Sequence, residues 1–135
     1  MPVFLSADQK SAWLSGGNVS YGLACDPEGR LLNIYWGPRL PDDVLHFEQM
    51  DYDSFISFDL PVLRLPLDIP CCGTGWYGTP ALNVRNSEGD DVTDLRVISF
   101  VVSAGKSPLN GLPALYTETI AEADTLTVLL EDSLT

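Results

Sequence analysis

The fold is decided between residues 20 and 36, which read SYGLACDPEGRLLNIYW. Successive side chains of a strand point to opposite faces, so Tyr21, Leu23 and Cys25 share one face of a first strand. Residues 26–29, Asp-Pro-Glu-Gly, are typical of a tight turn, because proline suits its second position and glycine accepts a positive φ near its close. We therefore predict that residues 20–29 form the first strand and the turn of a β-hairpin.

The second strand of this hairpin covers residues 31–36. The same alternation predicts Leu32, Ile34 and Trp36 on one side, with Leu31 and Tyr35 on the other. Strand signals recur along the chain. Residues 55–67 are strand-like but interrupted by two prolines, which lack an amide donor, so we expect them at a sheet edge or bend.

A second hairpin is predicted from residues 81–85 and 92–103, joined by the turn Asn86-Ser-Glu-Gly-Asp90. Residues 97–102 are apolar at almost every position, which favours a central strand covered on both faces. The last strand has the clearest alternation: Leu126, Val128 and Leu130 alternate with Thr125, Thr127 and Glu131.

These patterns predict an all-β protein, an antiparallel β-sandwich formed by residues 1–135 as a single domain. No segment shows apolar residues at helical spacing over three turns. The stretch 38–59 has no clear period, and we interpret it as a loop in which Leu40–Val44 could cap one short helix. The chain ends at 131–135, where a turn into a further strand would be natural, so we expect a domain truncated at its C-terminal end.

The chain is strongly acidic, with 7 basic and 19 acidic residues and a formal net charge of −12. This balance argues against nucleic-acid and anionic-membrane partners, which need clustered cations. A neutral, hydroxyl-rich ligand is not repelled. The N-terminus has no secretory-signal pattern and no apolar run approaches the ~20 residues that span a bilayer, so we expect a cytoplasmic protein.

Carboxylates are plentiful, but no pattern in the sequence sets two of them on facing strands of a recognisable cleft. We interpret the acids as solvated surface groups: Asp42, Asp43, Glu48, Asp51, Asp53, Asp59, Asp68, Asp90 and Asp91. His46 has no serine or cysteine motif nearby, which argues against a triad. It is also the only histidine, and the cysteine spacing does not suit zinc, so we expect neither a metal nor a cofactor.

The three cysteines, Cys25, Cys71 and Cys72, form an odd and sparse set. Adjacent cysteines rarely bond to each other because the geometry is strained. Either Cys71 or Cys72 could reach Cys25, but reduced thiols in a cytoplasmic protein are the favoured interpretation.

The most distinctive segment is Gly73-Thr-Gly-Trp-Tyr-Gly-Thr-Pro80. Gly73, Gly75 and Pro80 are expected to give this loop a special shape. Trp76 and Tyr77 are candidate substrate-binding residues, because the C–H faces of sugars stack on aromatic rings. The alternative is that both rings fold inward and fix the loop to the core.

Several motifs in order resemble the N-terminal domain of family 36 glycoside hydrolases, the microbial and fungal α-galactosidases. The motifs are Leu32-Asn-Ile-Tyr-Trp-Gly-Pro-Arg-Leu40, Gly73-Thr-Gly75, Pro80-Ala-Leu82, Asp94-Leu-Arg96, Gly105-Lys106, Leu109-Asn-Gly-Leu-Pro-Ala114 and Glu122-Ala-Asp-Thr-Leu126. The resemblance extends from about Val19 to Asp132. The sequence departs from the family pattern after Gly75, where Trp76, Tyr77 and Gly78 replace an acid, an aromatic and an arginine. Phe100 stands where the family often has histidine.

The resemblance implies that the chain is part of a β-supersandwich that precedes a (β/α)₈ barrel. Since the family's catalytic aspartates lie in that barrel, no residue of this chain inherits a catalytic role. The family is retaining, needs no metal, releases α-linked galactose from oligosaccharides such as melibiose or raffinose, and is commonly tetrameric. Its N-terminal domain helps build the assembly, and one of its loops can lean toward a neighbouring subunit's active site.

Three hypotheses follow for this chain. The first is a non-catalytic domain of an α-galactosidase-like protein that shapes the active-site rim and packs subunits in a homo-oligomer, reaching galactose-containing oligosaccharides through the parent enzyme. The second is a standalone carbohydrate-binding module that uses Trp76 or Tyr77. The third is a truncated gene product without independent activity, prone to aggregate through unpaired strand edges.

Overall fold

The computed structural model describes residues 2–41, 65–73, 75–106, 110–113 and 123–134. The described residues form antiparallel strands in two sheets, which confirms the predicted all-β sandwich. The strands are β1 (Val3–Leu5), β2 (Ser11–Gly16), β3 (Val19–Cys25), β4 (Leu31–Pro38), β5 (Leu95–Ala104) and β6 (Asp124–Asp132). Strands β1 to β4 form one sheet in that order, and β5 pairs with β6 in the other.

The hairpin predicted from residues 20–36 is confirmed as β3 and β4. In its turn, Gly29 has a φ of +87°, which a residue without Cβ adopts at little cost. The Asp26 carboxylate accepts a hydrogen bond from the Arg30 backbone N–H at 2.7 Å. The turn is thus closed by its own acid as well as by backbone conformation.

Strands β1 and β2 are absent from the sequence-based prediction. Strand β2 pairs with β3 through a two-residue connection at Gly17-Asn18, where Gly17 has a φ of +55°. Gly-Asn between two apolar stretches is a recognised signal for a tight hairpin turn. This signal, rather than the alternation within Ser11–Gly16, is what could have located both strands.

A β-bulge in β4 reverses the predicted side of two aromatic residues. Gly22 pairs with Tyr35, but the next residue, Leu23, pairs with Asn33, so Ile34 is the additional residue. An extra residue shifts the alternation by one. The predicted grouping of Trp36 with Leu32 is therefore wrong: Trp36 shares a face with Tyr21, and Tyr35 lies on the opposite face.

Gly22 leaves room for an aromatic pair across three strands. Trp13 on β2 and Tyr35 on β4 both pair with Gly22 itself, one from each side, and their rings stack with centroids 5.4 Å apart. A Cβ atom at Gly22 would lie 2.3 Å from the Trp13 ring. The ring of Trp13, which is buried, occupies the space that a side chain would take.

The core lies between the two sheets. The alternation predicted for the last strand is confirmed, because Leu126, Val128 and Leu130 face inward from β6 together with Phe100 from β5. They pack against the inner face of the larger sheet, whose buried residues there are Ala12, Leu23 and Leu31. Removing these apolar side chains from water is the main stabilising contribution to such a sandwich.

The predicted second hairpin is wrong. The turn at Asn86–Asp90 does form, since the Asn86 side-chain oxygen accepts from the backbone N–H groups of Glu88 and Asp90, each at 3.0 Å. Residues 81–85, however, are exposed, and β5 pairs with β6 instead. Pairing with β6 buries a continuous apolar face, and such burial outweighs proximity in sequence.

Strand β5 is also not covered on both faces, contrary to the prediction. Its outward residues Ile98 and Val101 are 53% and 52% exposed, and Leu129 on β6 is 54% exposed beside them. We call Ile98, Val101 and Leu129 the outer face of the small sheet.

The structure describes only residues 65–67 of the predicted segment 55–67, so the prediction can be compared with the structure only there. Leu67 forms an antiparallel bridge with Leu32, and the Pro66 carbonyl accepts from the Asn33 N–H at 2.8 Å. Residues 65–67 therefore lie along the edge of the four-stranded sheet, as expected for a segment that contains proline. Residues 42–64, which include most of the predicted loop with its short helix and His46, lie outside the described residues.

Arg96 and Asp94 join the small sheet to the turn of the first hairpin. Asp94 accepts from Arg96 Nε at 2.9 Å and from Ser133 Oγ at 2.7 Å. The same guanidinium donates to the Glu28 carbonyl at 2.6 Å. One residue further on, the Val97 N–H donates to the Gly29 carbonyl at 2.8 Å. We call Asp94, Arg96 and Ser133 the sheet clamp.

We predict that Asp94→Ala lowers the free energy of unfolding by about 2–3 kcal/mol, because its donors lose a charged acceptor in a partly buried setting. Urea denaturation followed by circular dichroism measures the change. Asp90→Ala is the matched control, since Asp90 is exposed and its removal should cost no more than about 0.5 kcal/mol. Equal denaturation midpoints for the two variants would contradict a structural role for the clamp.

Candidate functional site

The loop predicted as a candidate site protrudes from a closed base. The Ala81 N–H donates to the Pro70 carbonyl at 2.8 Å, and Cys71 forms a parallel bridge with Leu82. The Thr93 N–H also donates to the Cys72 carbonyl at 3.0 Å, which ties the base to the segment that leads into β5. We call residues 73–80 the aromatic loop.

The glycines of this loop are required by conformation and by space. Gly73 and Gly75 both have a φ of +92°, a region that other residues rarely adopt. A Cβ at Gly73 would also lie 2.4 Å from a methyl group of Val92. The loop can therefore approach Val92 closely only with glycine at position 73. Pro80, at the end of the loop, is half-buried.

The two aromatic residues of the loop are placed differently. Trp76 is half-buried, and its indole N–H points to the Thr79 carbonyl at 3.4 Å. Its ring covers Gly78, where a Cβ would lie 2.8 Å from the indole. Tyr77 is 85% exposed. Trp76 thus braces the loop from within, while Tyr77 is presented to solvent at its tip.

Two of the three cysteines, Cys25 and Cys71, are not poised for nucleophilic chemistry. Cys25, Cys71 and Cys72 are free thiols. Burial raises the pKa of Cys71, and neighbouring Cys72 adds to the effect. Burial likewise raises the pKa of the Cys25 thiol, and the electrostatic effect of neighbouring Asp26 raises it further. A raised pKa keeps a thiol protonated at neutral pH, and the thiolate is the reactive form.

A small cavity lies under the loop base, between the sheets. It is lined by residues that include Arg30, Ile69, Cys71, Thr93 and Leu130, and its volume is about 20 Å³. That volume accommodates about one water molecule and not a sugar ring. Among the residues the structure describes, no group of three or more His, Cys, Asp or Glu side chains could hold a metal ion. Within the same residues, no helix has the length and apolar character to cross a membrane.

Of the candidate carboxylates, Asp90 is exposed, as predicted for a surface acid. Asp68 differs from its prediction, because it is half-buried and accepts a hydrogen bond from the Tyr21 hydroxyl. Asp42, Asp43, Glu48, Asp51, Asp53 and Asp59 lie outside the described residues.

Asp68 belongs to a cluster that the sequence analysis did not find. Trp36 is 72% exposed and meets Tyr21 edge to face, with ring centroids 5.0 Å apart. Burial, together with the hydrogen bond to Asp68, raises the pKa of Tyr21 to about 12. We call Trp36, Tyr21 and Asp68 the Trp36 cluster. It depends on the bulge at Ile34, which no alternation pattern reveals.

The chain is similar to several α-galactosidases. The bifunctional α-galactosidase/sucrose kinase AgaSK of Mediterraneibacter gnavus is 29% identical over 140 residues, which cover 98% of this chain and 15% of that protein. The crystal structure of the family 36 α-galactosidase AgaB from Geobacillus stearothermophilus superposes with a TM-score of 0.81 at 33% identity, covering 99% of this chain and 19% of that chain.

An AgaA variant from the same organism, solved in complex with raffinose, superposes with a TM-score of 0.75 at 33% identity, covering 93% of this chain and 18% of that chain. The chain thus spans less than a fifth of the length of each of these relatives. The model of the glycosyl hydrolase family 36 N-terminal domain matches residues 29–135. The match begins in the first hairpin turn and includes the sheet clamp and the aromatic loop. The chain therefore belongs to the N-terminal domain family of the family 36 glycosyl hydrolases.

Proposed function

We propose that this chain is a non-catalytic domain of an α-galactosidase-like glycoside hydrolase, which shapes the rim of the active site and packs subunits together. Its relatives are α-galactosidases, and it corresponds only to their N-terminal domain. One of those relatives was solved with raffinose. The ligand class proposed for the parent assembly is therefore a galactose-containing oligosaccharide.

The observation that carries the rim role is the form of the aromatic loop. The loop has a closed base, and Trp76 braces it from within through its contacts with Gly78 and the Thr79 carbonyl. Tyr77 is thereby presented to solvent without support from the core. A fixed, exposed tyrosine offers an apolar ring and a hydroxyl at once, which suits contact with a sugar or with a neighbouring subunit.

The packing role is supported by the outer face of the small sheet. Three apolar side chains that are each more than half exposed lie together there, on adjacent antiparallel strands. Clustered apolar exposure of this kind marks surfaces that are covered in an assembly, whereas scattered exposed residues do not. A homo-oligomer would cover this face.

We predict that the purified chain does not hydrolyse an aryl α-galactoside above the uncatalysed rate, because it lacks a pair of carboxylates across a cleft among its described residues. Release of the aryl group, followed by absorbance, measures the rate. AgaA, an α-galactosidase, serves as the positive control. Turnover by the chain that is lost in Asp68→Asn would refute the non-catalytic proposal.

We predict that Val101→Lys weakens self-association of the chain by about tenfold or more in dissociation constant, because a charge would be placed in the covered apolar face. Sedimentation velocity over a concentration series measures the association. Val84→Lys is the matched control, because Val84 is 49% exposed against 52% for Val101 and the charge change is identical. If both variants associate as the unmodified chain does, the outer face does not pack subunits.

A standalone carbohydrate-binding module is the second candidate, favoured by the exposure of Tyr77. It predicts that Tyr77→Ala abolishes raffinose affinity in the isolated chain, while Tyr77→Phe retains most of it because the stacking ring remains. Isothermal titration measures the affinity. A rim that acts only inside the parent assembly predicts instead that Tyr77→Ala leaves the isolated chain's sugar affinity unchanged.

A further inference from the structure

We propose that the Trp36 cluster is a second carbohydrate-contact site, at which the Trp36 ring stacks on a neutral pyranose and Asp68 accepts a hydrogen bond from a sugar hydroxyl. The site lies on the four-stranded sheet, whereas the aromatic loop follows residue 72. The inference therefore does not depend on the role proposed for Tyr77.

The apolar half of the site is a small platform on rigid strands. Trp36 pairs with Tyr21, and their neighbours Pro38 and Val19 pair with each other one step further along the same face. Trp36, Pro38 and Val19 are all exposed. A sugar ring presents a patch of C–H groups of similar size, and an indole is the side chain best suited to meet it.

The orientation of the Trp36 ring is supported by its cross-strand neighbour Tyr21. Tyr21 contacts it edge to face, and the Tyr21 hydroxyl is itself fixed by donation to Asp68. Asp68 is positioned in turn by its backbone N–H, which donates to the Leu31 carbonyl at 3.0 Å. Because the ring is held before a ligand arrives, binding loses less conformational entropy. Single exposed apolar side chains are common on protein surfaces, so what indicates a site is the support that Tyr21 and Asp68 give to Trp36, and not its exposure alone.

The polar half of the site is the carboxylate of Asp68. An ionised carboxylate has about four acceptor positions, and among the described residues the Tyr21 hydroxyl donates to one of those of Asp68. The Tyr21 hydroxyl is protonated at neutral pH and donates to Asp68, and this hydrogen bond contributes to its raised pKa. The remaining acceptor capacity matches hydroxyl donors.

The charge of the chain selects among possible ligands. A net charge of −12 and a carboxylate at the site disfavour anionic ligands. A neutral sugar combines apolar C–H faces with hydroxyl donors and carries no charge to be repelled. It fits both halves of the site.

The test is titration of the full chain with raffinose, followed by the indole N–H resonances in proton–nitrogen NMR spectra. We expect the Trp36 indole resonance to shift on saturation. Trp36→Ala should weaken the affinity at this site by about tenfold or more, and Trp36→Phe by less, because an aromatic ring remains. Asp68→Asn should weaken it too, while thermal melting confirms that each variant is folded.

Tyr77→Ala is the matched aromatic control, since it removes an even more exposed ring from the aromatic loop. It should leave the raffinose-induced shift of Trp36 unchanged, whatever it does at the loop. Galacturonate should bind more weakly than galactose, because its carboxylate meets Asp68.

Three results would overturn the inference: no shift of Trp36 with raffinose, equal affinity in folded Trp36→Ala, or a change in sedimentation rather than sugar affinity in that variant. The last would identify the cluster as a contact between copies of the chain. None of these results bears on the aryl-galactoside assay or on the Val101 comparison, so failure here is distinguishable from failure of the proposed function.

Discussion

The contact between the small sheet and the first hairpin turn is the constraint on which the sandwich depends. Through Arg96 and Val97, β5 donates to two successive carbonyls of that turn, Glu28 and Gly29. This attachment sets the small sheet over the inner face of the larger one, where Phe100 meets Leu31 and Leu23. Apolar burial supplies most of the stabilisation, but it is not directional, so hydrogen bonds are needed to fix the register between sheets. The Asp94-Leu95-Arg96 motif, which helped to suggest the family, has this structural role.

The absence of a Cβ at three glycines determines where neighbouring side chains pack. Gly22 admits the Trp13 ring over the sheet, Gly78 admits the Trp76 ring within the loop, and Gly73 admits Val92 beneath it. In each case a neighbouring side chain occupies the volume that a Cβ would fill. The consequence differs between the two faces of the larger sheet. Trp13 and Tyr35 stack on one face, whereas Trp36 stands exposed on the other.

The chain offers surfaces rather than a reaction centre among its described residues. Its carboxylates are divided between structural bonds, as in Asp26 and Asp94, and solvent, as in Asp90. The pKa values of the Cys25 and Cys71 thiols are raised, and the cavity between the sheets holds about one water molecule. Three exposed features remain: Tyr77, the outer face of the small sheet, and the Trp36 cluster.

The sequence by itself determined the fold class, the first hairpin, the alternation of β6 and the turn at residues 86–90, because these depend on local signals: period-two alternation and turn residues. It also located the aromatic loop through its glycines. Only the tertiary structure decided that β5 pairs with β6 and not with residues 81–85, because the choice depends on which pairing buries a continuous face. That Trp76 is half-buried while Tyr77 and Trp36 are exposed also depends on the tertiary structure. The side of β4 on which Trp36 lies was reversed by one additional residue, Ile34.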